Sequence, residues 1–171
     1  QVALLGIYLS STIVRTLVIQ TNGTRWGVFG ETIVKRGTDV PGGGGTGNSG
    51  NGSLGAIVQD GYFLRTEDVR ITGNGTGVVA KRGSVIKILS ENGFGSVDGN
   101  AGDGIQVRSS NAEVWVNLTN NCGNGVFIRQ LAFATVIGGF DFSGNGGGYV
   151  VKCEDPVTSV SQGVPCGTPS P

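Results

Sequence analysis

Along the second half of the chain, two apolar residues one position apart keep returning, each time followed by an Asn/Gly turn and a glycine-led apolar strand. Val69-Arg70-Ile71 runs through Thr72-Gly73-Asn74-Gly75-Thr76-Gly77 into Val78-Val79. Ile86-Lys87-Ile88 is followed by Ser90-Glu91-Asn92-Gly93, and its glycine-led strand waits until Gly104-Ile105-Gln106-Val107. Val114-Trp115-Val116 leads through Asn120-Asn121-Cys122-Gly123-Asn124-Gly125 to Val126-Phe127-Ile128. Phe140-Asp141-Phe142 leads through Ser143-Gly144-Asn145-Gly146 to Tyr149-Val150-Val151. The first strand thus recurs at 69, 86, 114 and 140, and the glycine-led one at 77, 104, 125 and 148. Spacings of 17 to 28 residues suit stacked coils, each of which buries its apolar side only against its neighbours. The pattern predicts an all-β fold, a short parallel β-helix or β-solenoid. Alternation within each strand points Val69/Ile71, Ile86/Ile88, Val114/Val116 and Phe140/Phe142 inward, one pair above the next.

Upstream the pattern is less regular. Residues 1–20 form the most apolar stretch, and Leu5, Leu9, Ile13 and Leu17 fall at helical spacing. The β-branched run through Thr12, Ile13, Val14, Val18 and Ile19 favours one or two strands instead. Arg15 interrupts the run, so no membrane span is expected. Asn22-Gly23, set between two β-prone runs, predicts a hairpin. Glu31–Lys35 reads as a further strand, and Pro41–Ser53 has the composition of a flexible glycine-rich loop. The organisation is then an N-terminal strand arm and hairpin (1–40), a Gly-rich loop (41–53), β-solenoid repeats (54–152) and a Cys-containing capping tail (153–171). Exposed strand edges at the ends of a solenoid invite pairing. The tail is the expected cap at one end and the apolar N-terminal strands at the other.

Composition narrows the chemistry. The 171 residues include 33 glycines, 14% charged residues, no histidine and no methionine, with a formal net charge of zero. A neutral chain without a basic patch gives no electrostatic footprint for nucleic acid. Without histidine or a paired Cys-x-x-Cys, neither a Ser-His or Cys-His nucleophile nor a metal site is expected, and no cofactor is implied. A chain that starts at Gln1 and lacks Met reads as a processed, secreted one. Three cysteines fit that compartment and allow three single pairings. Cys153–Cys166 is the expected disulfide, closing a short loop worth about 2–3 kcal/mol and leaving Cys122 over. Four Asn-x-Ser/Thr sequons begin at Asn22, Asn51, Asn74 and Asn117, each a candidate glycosylation site.

The coil pattern resembles the right-handed parallel β-helix repeats of the pectin-lyase-like superfamily. It does so over roughly residues 54 to 152, through Asn92-Gly93, Gly104–Val107, Asn124–Ile128 and Asn145–Val151. The resemblance implies architecture alone, since that superfamily spans polysaccharide lyases, glycoside hydrolases, phage tailspikes, adhesins and proteins without catalysis.

A glycoside hydrolase requires two carboxylates at a defined separation. Asp60, Glu67, Asp68 and Asp141 could approach one another on neighbouring coils, as could Asp98 and Asp103 within one loop, but none forms a recognisable motif. Asp98-Gly-Asn100-Ala-Gly-Asp103-Gly104 is loosely similar to a calcium loop; it lacks the EF-hand spacing and the distal glutamate, and turn chemistry accounts for its residues. No enzyme is expected. Trp115, between two inward valines, points outward, where it packs on another subunit, stacks on sugar or packs locally. The leading expectation is an extracellular or cell-surface structural subunit that assembles with copies of itself into a filament or fibre. Assembly would proceed by strand addition through Val2, Leu4, Leu5, Ile7, Leu9, Ile13, Leu17 and Ile19, with Trp115 at the interface. The alternatives are a carbohydrate-active β-helix domain and a monomeric adhesin or glycan-binding module for surface glycans.

Overall fold

In the computed structural model, residues 55–91, 93, 95–155 and 159–171 are described in full. Leu54 and the short strands at 7–8, 12–14, 18–20, 28–29, 32–35 and 47–49 are described as backbone. All regular structure among these residues is β. The described strands fall into four sheets, and the chain winds repeatedly past three of them. The N-terminal strands are β1 (Ile7–Tyr8), β2 (Thr12–Val14), β3 (Val18–Gln20), β4 (Val28–Phe29), β5 (Thr32–Lys35) and β6 (Gly47–Ser49). Then come β7 (Leu54–Val58), β8 (Phe63–Glu67) and β9 (Arg70–Thr72), followed by β10 (Thr76–Lys81), β11 (Val85–Leu89) and β12 (Ser96–Asp98). The next coil is β13 (Ile105–Arg108), β14 (Asn111–Trp115) and β15 (Asn117–Thr119). The chain closes with β16 (Val126–Arg129), β17 (Phe133–Val136), β18 (Tyr149–Cys153), β19 (Val160–Gly163) and β20 (Thr168–Pro169).

From β7 to β17 every third strand returns to the same sheet. The six-stranded sheet runs β7-β10-β13-β16-β18-β20, the seven-stranded one β2-β5-β8-β11-β14-β17-β19, and the five-stranded one β3-β6-β9-β12-β15. All pairs are parallel except β18–β20. This is the parallel β-solenoid that the repeat predicts.

Inward residues form columns along the axis. Val78, Ile105, Val126 and Val151 lie in register, as do Ala80, Val107, Ile128 and Cys153. Leu64, Ile86, Ala112 and Ala134 make a third column, and Thr66, Ile88, Val114 and Val136 a fourth. Ile71, Val97 and Leu118 make the fifth. Within these columns Val78, Ile86, Ile88, Val97, Val107, Val114 and Leu118 are wholly buried. The expected stacking is therefore corrected in register. Val69 and Ile71 are buried as expected, but Ile71 stands over Val97 in the five-stranded sheet and not over Ile88. Ser96-Val97-Asp98 holds one apolar residue, too few for alternation to reveal. Phe140 and Phe142 are half-buried beside β15, where the Leu118 N–H donates to the Asp141 carbonyl.

Corners are made by left-handed backbone. Gly73, Gly99, Asn120 and Gly144 have φ of 66, 60, 54 and 72°, and each precedes a buried asparagine: Asn74, Asn100, Asn121 and Asn145. These asparagines form a ladder. The Asn74 N–H donates to Asn100 Oδ1 at 2.9 Å; Asn100 Nδ2 donates to Asn121 Oδ1 at 2.8 Å, and Asn121 Nδ2 to Asn145 Oδ1 at 3.0 Å. Each amide also holds a carbonyl of the preceding coil: Asn100 that of Ile71, Asn121 that of Val97 and Asn145 that of Leu118. Buried backbone acceptors that the corner would otherwise strand are thereby satisfied. The ladder position of the second coil thus belongs to Asn100; Asn92, of the expected Asn92-Gly93 turn, lies outside the described residues.

A glycine column stands beside the ladder. An added Cβ on Gly104 would lie 2.8 Å from the Gly125 carbonyl oxygen and 2.9 Å from Asn121 Nδ2; one on Gly125 would lie 2.7 Å from the Val150 carbonyl oxygen. Glycine leads these strands because the next coil passes too close for a side chain. At the last coil that place is taken by Val150, and Gly148 lies outside the column.

Candidate functional site

The N-terminal strands occupy places in the chain's own sheets. β2 pairs with β5, which pairs with β8; β3 pairs with β6, which pairs with β9; β1 pairs with β4. The strands flanking Asn22-Gly23, β3 and β4, therefore pair elsewhere and not with each other, so the expected hairpin pairing is replaced by parallel coil pairing. The turn itself, residues 21–27, lies outside the described residues. Of the expected interface residues, Ile7 lies on β1, Ile13 on β2 and Ile19 on β3. Val2, Leu4, Leu5, Leu9 and Leu17 fall outside the described residues.

At the other end, the tail folds back over the last coil. Cys153 on β18 is bonded to Cys166, with Cα atoms 5.5 Å apart. β20 then pairs antiparallel with β18. Ser170 Oγ accepts from the Asn145 N–H at 3.1 Å and donates to the Phe142 carbonyl at 2.8 Å, taking the position of a further ladder asparagine. The Pro171 carbonyl accepts the Gly144 N–H. The tail thus closes the six-stranded sheet and the asparagine corner.

It leaves the seven-stranded sheet open. That sheet ends on β19, which pairs only with β17 among the described strands. The Val160 and Val164 N–H groups donate to Ala132 and Val136. By strand alternation, Ser161 and Gly163 direct their backbone groups to the unpaired side. Val160 is 46% exposed on the outer face. The opposite edge of the same sheet is β2.

Trp115 lies on the outer face of β14, in register with Leu89, and is 41% exposed. Its outward direction is the one alternation predicts. Cys122 is free and exposed.

The sequons divide. Asn22 and Asn51 lie outside the described residues, and Asn117 is half-buried with its Oδ1 accepting the Asp141 N–H. Asn74 is 1% exposed, and its Nδ2 lies where it would meet a Cβ on Gly55 at 2.8 Å. A glycan on that amide has no room, so the expectation of glycosylation at Asn74 is corrected.

The candidate carboxylates do not converge. Asp60 pairs with Arg82 at 2.8 Å, Glu67 with Arg65 at 2.6 Å, and Asp68 accepts the Ser90 hydroxyl. Asp141 stands on a later coil, its carboxyl held below the usual range by the Ser143 backbone N–H and then the Ser143 hydroxyl. Asp98 and Asp103 face different partners. Asp98 is bound by the Thr72 and Ser96 hydroxyls and lies 3.6 Å from Arg70. Asp103 accepts from the Asn124 N–H and Nδ2 and from Gln106 Nε2, at 2.8 to 2.9 Å. Both act as corner braces. Among the described residues no group of three or more Cys, Asp or Glu side chains is placed to hold a metal ion.

No protein-family model, curated protein or solved structure matches the chain. The fold and its surfaces define it as a parallel β-solenoid.

Proposed function

We propose that this protein is a structural subunit of an extracellular or cell-surface fibre, built by head-to-tail addition of solenoids. The observation that carries the reading is the seven-stranded sheet, whose two outer strands, β2 and β19, are both edges of one parallel sheet. Placing β2 of one copy against β19 of another continues the parallel order, and such a heterologous contact repeats without closing. Because β2 is already seated in its own subunit, the mechanism is edge-to-edge extension and not donation of a detached arm. At the far end the tail pairs with the six-stranded sheet, and the backbone of residues 141 and 143 bonds to the β15 edge of the five-stranded one, so β19 is the edge left for extension. The disulfide and the low charge favour an oxidising, external compartment. The coil pattern supports kinship with pectin-lyase-like β-helices, here in a non-catalytic role.

Two variants test the reading. Ser161→Pro removes an N–H from the unpaired side of β19 while the donors to β17 remain. Loss of assembly, seen by light scattering and electron microscopy of a folded variant, is the expected result. Deletion of residues 1–19 removes β2 and should also abolish fibres. A wild-type chain that stays monomeric at high concentration, or normal fibres from both variants, would remove the proposal in favour of a monomeric glycan-binding module.

A further inference from the structure

The outer face of the seven-stranded sheet carries two rows that run along the axis. Phe63, Val85, Asn111, Phe133 and Val160 stand in register on β8, β11, β14, β17 and β19. Their neighbours Leu64, Ile86, Ala112 and Ala134 are buried, so alternation turns this row outward, and only Asn111 in it is polar. Two residues further along the strands, Arg65, Lys87, Glu113 and Thr135 make a second row. Charge in that row changes sign halfway, with bases on β8 and β11, an acid on β14 and a neutral residue on β17. Lys87 and Glu113, which flank the change, are 2.5 Å apart. Leu89 and the exposed Trp115 end the same two strands. The corners that lead into this sheet add a further asymmetry. Asp60-Gly61, Arg82-Gly83 and Gln130-Leu131 are each a left-handed pair, and each stands at the same distance before Phe63, Val85 or Phe133. Leu131 thus occupies the place that glycine holds in the other two corners, with φ of 59° and 73% exposure. A bulky side chain is strained in that conformation, and one so exposed gains little from its own subunit. At the corresponding corner before β8, a Cβ added to Gly61 meets nothing within 4 Å.

We propose that this face docks on the same face of a second copy, about a two-fold axis that follows the strand direction midway between β11 and β14. Such an axis keeps the strand direction, turns the second face toward the first and reverses the order of coils. β11 of one copy then lies over β14 of the other, and β8 over β17. Phe63 meets Phe133, and Leu89 meets Trp115, apolar pairs of the kind that anchor interfaces. Lys87 meets Glu113, so the two internal ion pairs lie antiparallel with alternating charges around them. Arg65 meets the neutral Thr135. Leu131 meets the corner at Gly61, where there is room for it. Each match is made twice, as an isologous contact requires. Copies set face to face with their coils in the same order would instead oppose Lys87 to Lys87 and Glu113 to Glu113. Four strands about 4.8 Å apart and five residues of about 3.3 Å each give a face of about 300 Å² in outline. That is small for a specific interface and belongs with the transient class. The contact uses a sheet face and not a strand edge, so it is separate from fibre growth and stands whether or not the protein polymerises.

Sedimentation velocity of the full chain over a concentration series tests it, with Ser161→Pro run in parallel so that edge growth and face docking are read apart. A monomer–dimer equilibrium is expected in both. Lys87→Glu and Glu113→Lys, each alone, should stay monomeric, because each sets like charges across the axis. An equimolar mixture of the two should dimerise again, since the opposed positions then carry opposite charges. Circular dichroism checks that both variants are folded. Leu131→Gly decides the matter even if they are not. It installs the residue of the two earlier corners, so the denaturation midpoint should hold or rise, while the dimer weakens about tenfold from the loss of a buried leucine. Ser161→Pro that stays monomeric at every concentration, a mixture of folded charge variants that does not dimerise, or Leu131→Gly that dimerises like its parent would overturn the proposal. The first of these results would leave the face to a different protein.

Discussion

Asn121 is bonded to a ladder asparagine on each side: it accepts from Asn100 Nδ2 at 2.8 Å and donates to Asn145 Oδ1 at 3.0 Å. It also holds the Val97 carbonyl at 3.1 Å. The residue is wholly buried, so its partners have no water to turn to.

Asn121→Ala should therefore cost about 3 kcal/mol or more, since buried donors and an acceptor are left unpaired at about 1–3 kcal/mol each. Ser170→Ala, at the half-buried end of the same ladder, should cost about 1 kcal/mol. Chemical denaturation of both variants checks the order. Equal losses would mean that the ladder is not the brace described.

Gly104→Ala should destabilise by about 1–3 kcal/mol through overpacking, because its Cβ would press on a carbonyl oxygen and on Asn121. Gly138→Ala is the control. A Cβ there meets nothing within 4 Å, so its midpoint should stay close to that of the parent.

Ile88→Asp and Val116→Asp each bury an unpaired carboxylate at a wholly buried position. Loss of cooperative unfolding and of strand signal in circular dichroism is the expected outcome for both. Retained cooperativity in either would contradict the inward placement.

Reduction should lower stability by about 2–3 kcal/mol, as expected for opening a short cross-linked loop, and should loosen the tail while the coils persist. Peptide mapping of the oxidised protein should return Cys153 linked to Cys166. A native-state alkylation pulse should label Cys122 alone.

The sequence shows the coil architecture clearly where chemistry repeats. Asn/Gly corners and glycine-led strands mark Gly77, Gly104 and Gly125 because close passage of the next coil admits no other residue. The five-stranded sheet is nearly invisible, since Val97 and Leu118 are lone apolar residues in three-residue strands. Asn100 is hidden for a related reason. Gly99-Asn100 and Asn92-Gly93 look alike as turns, and only hydrogen bonding across coils separates a ladder member from a loop residue. A shared row across coils is harder still to find where no residue type repeats. Lys81 and Arg108 are 27 residues apart, and nothing local says that they share a column.

Sequence separation along the ladder is 26, 21, 24 and 25 residues from Asn74 through Asn100, Asn121 and Asn145 to Ser170. Strand register nevertheless holds from coil to coil, because the extra residues fall between strands, as between Leu89 and Ser96. Length is thus a free variable at the corners and a fixed one in the strands. A peptide tag grafted between β11 and β12 would ride outside the columns. One residue inserted into β13 would turn Val107 outward and Arg108 into the core. The corners are where such a scaffold can acquire new loops, natural or engineered, without renegotiating its core.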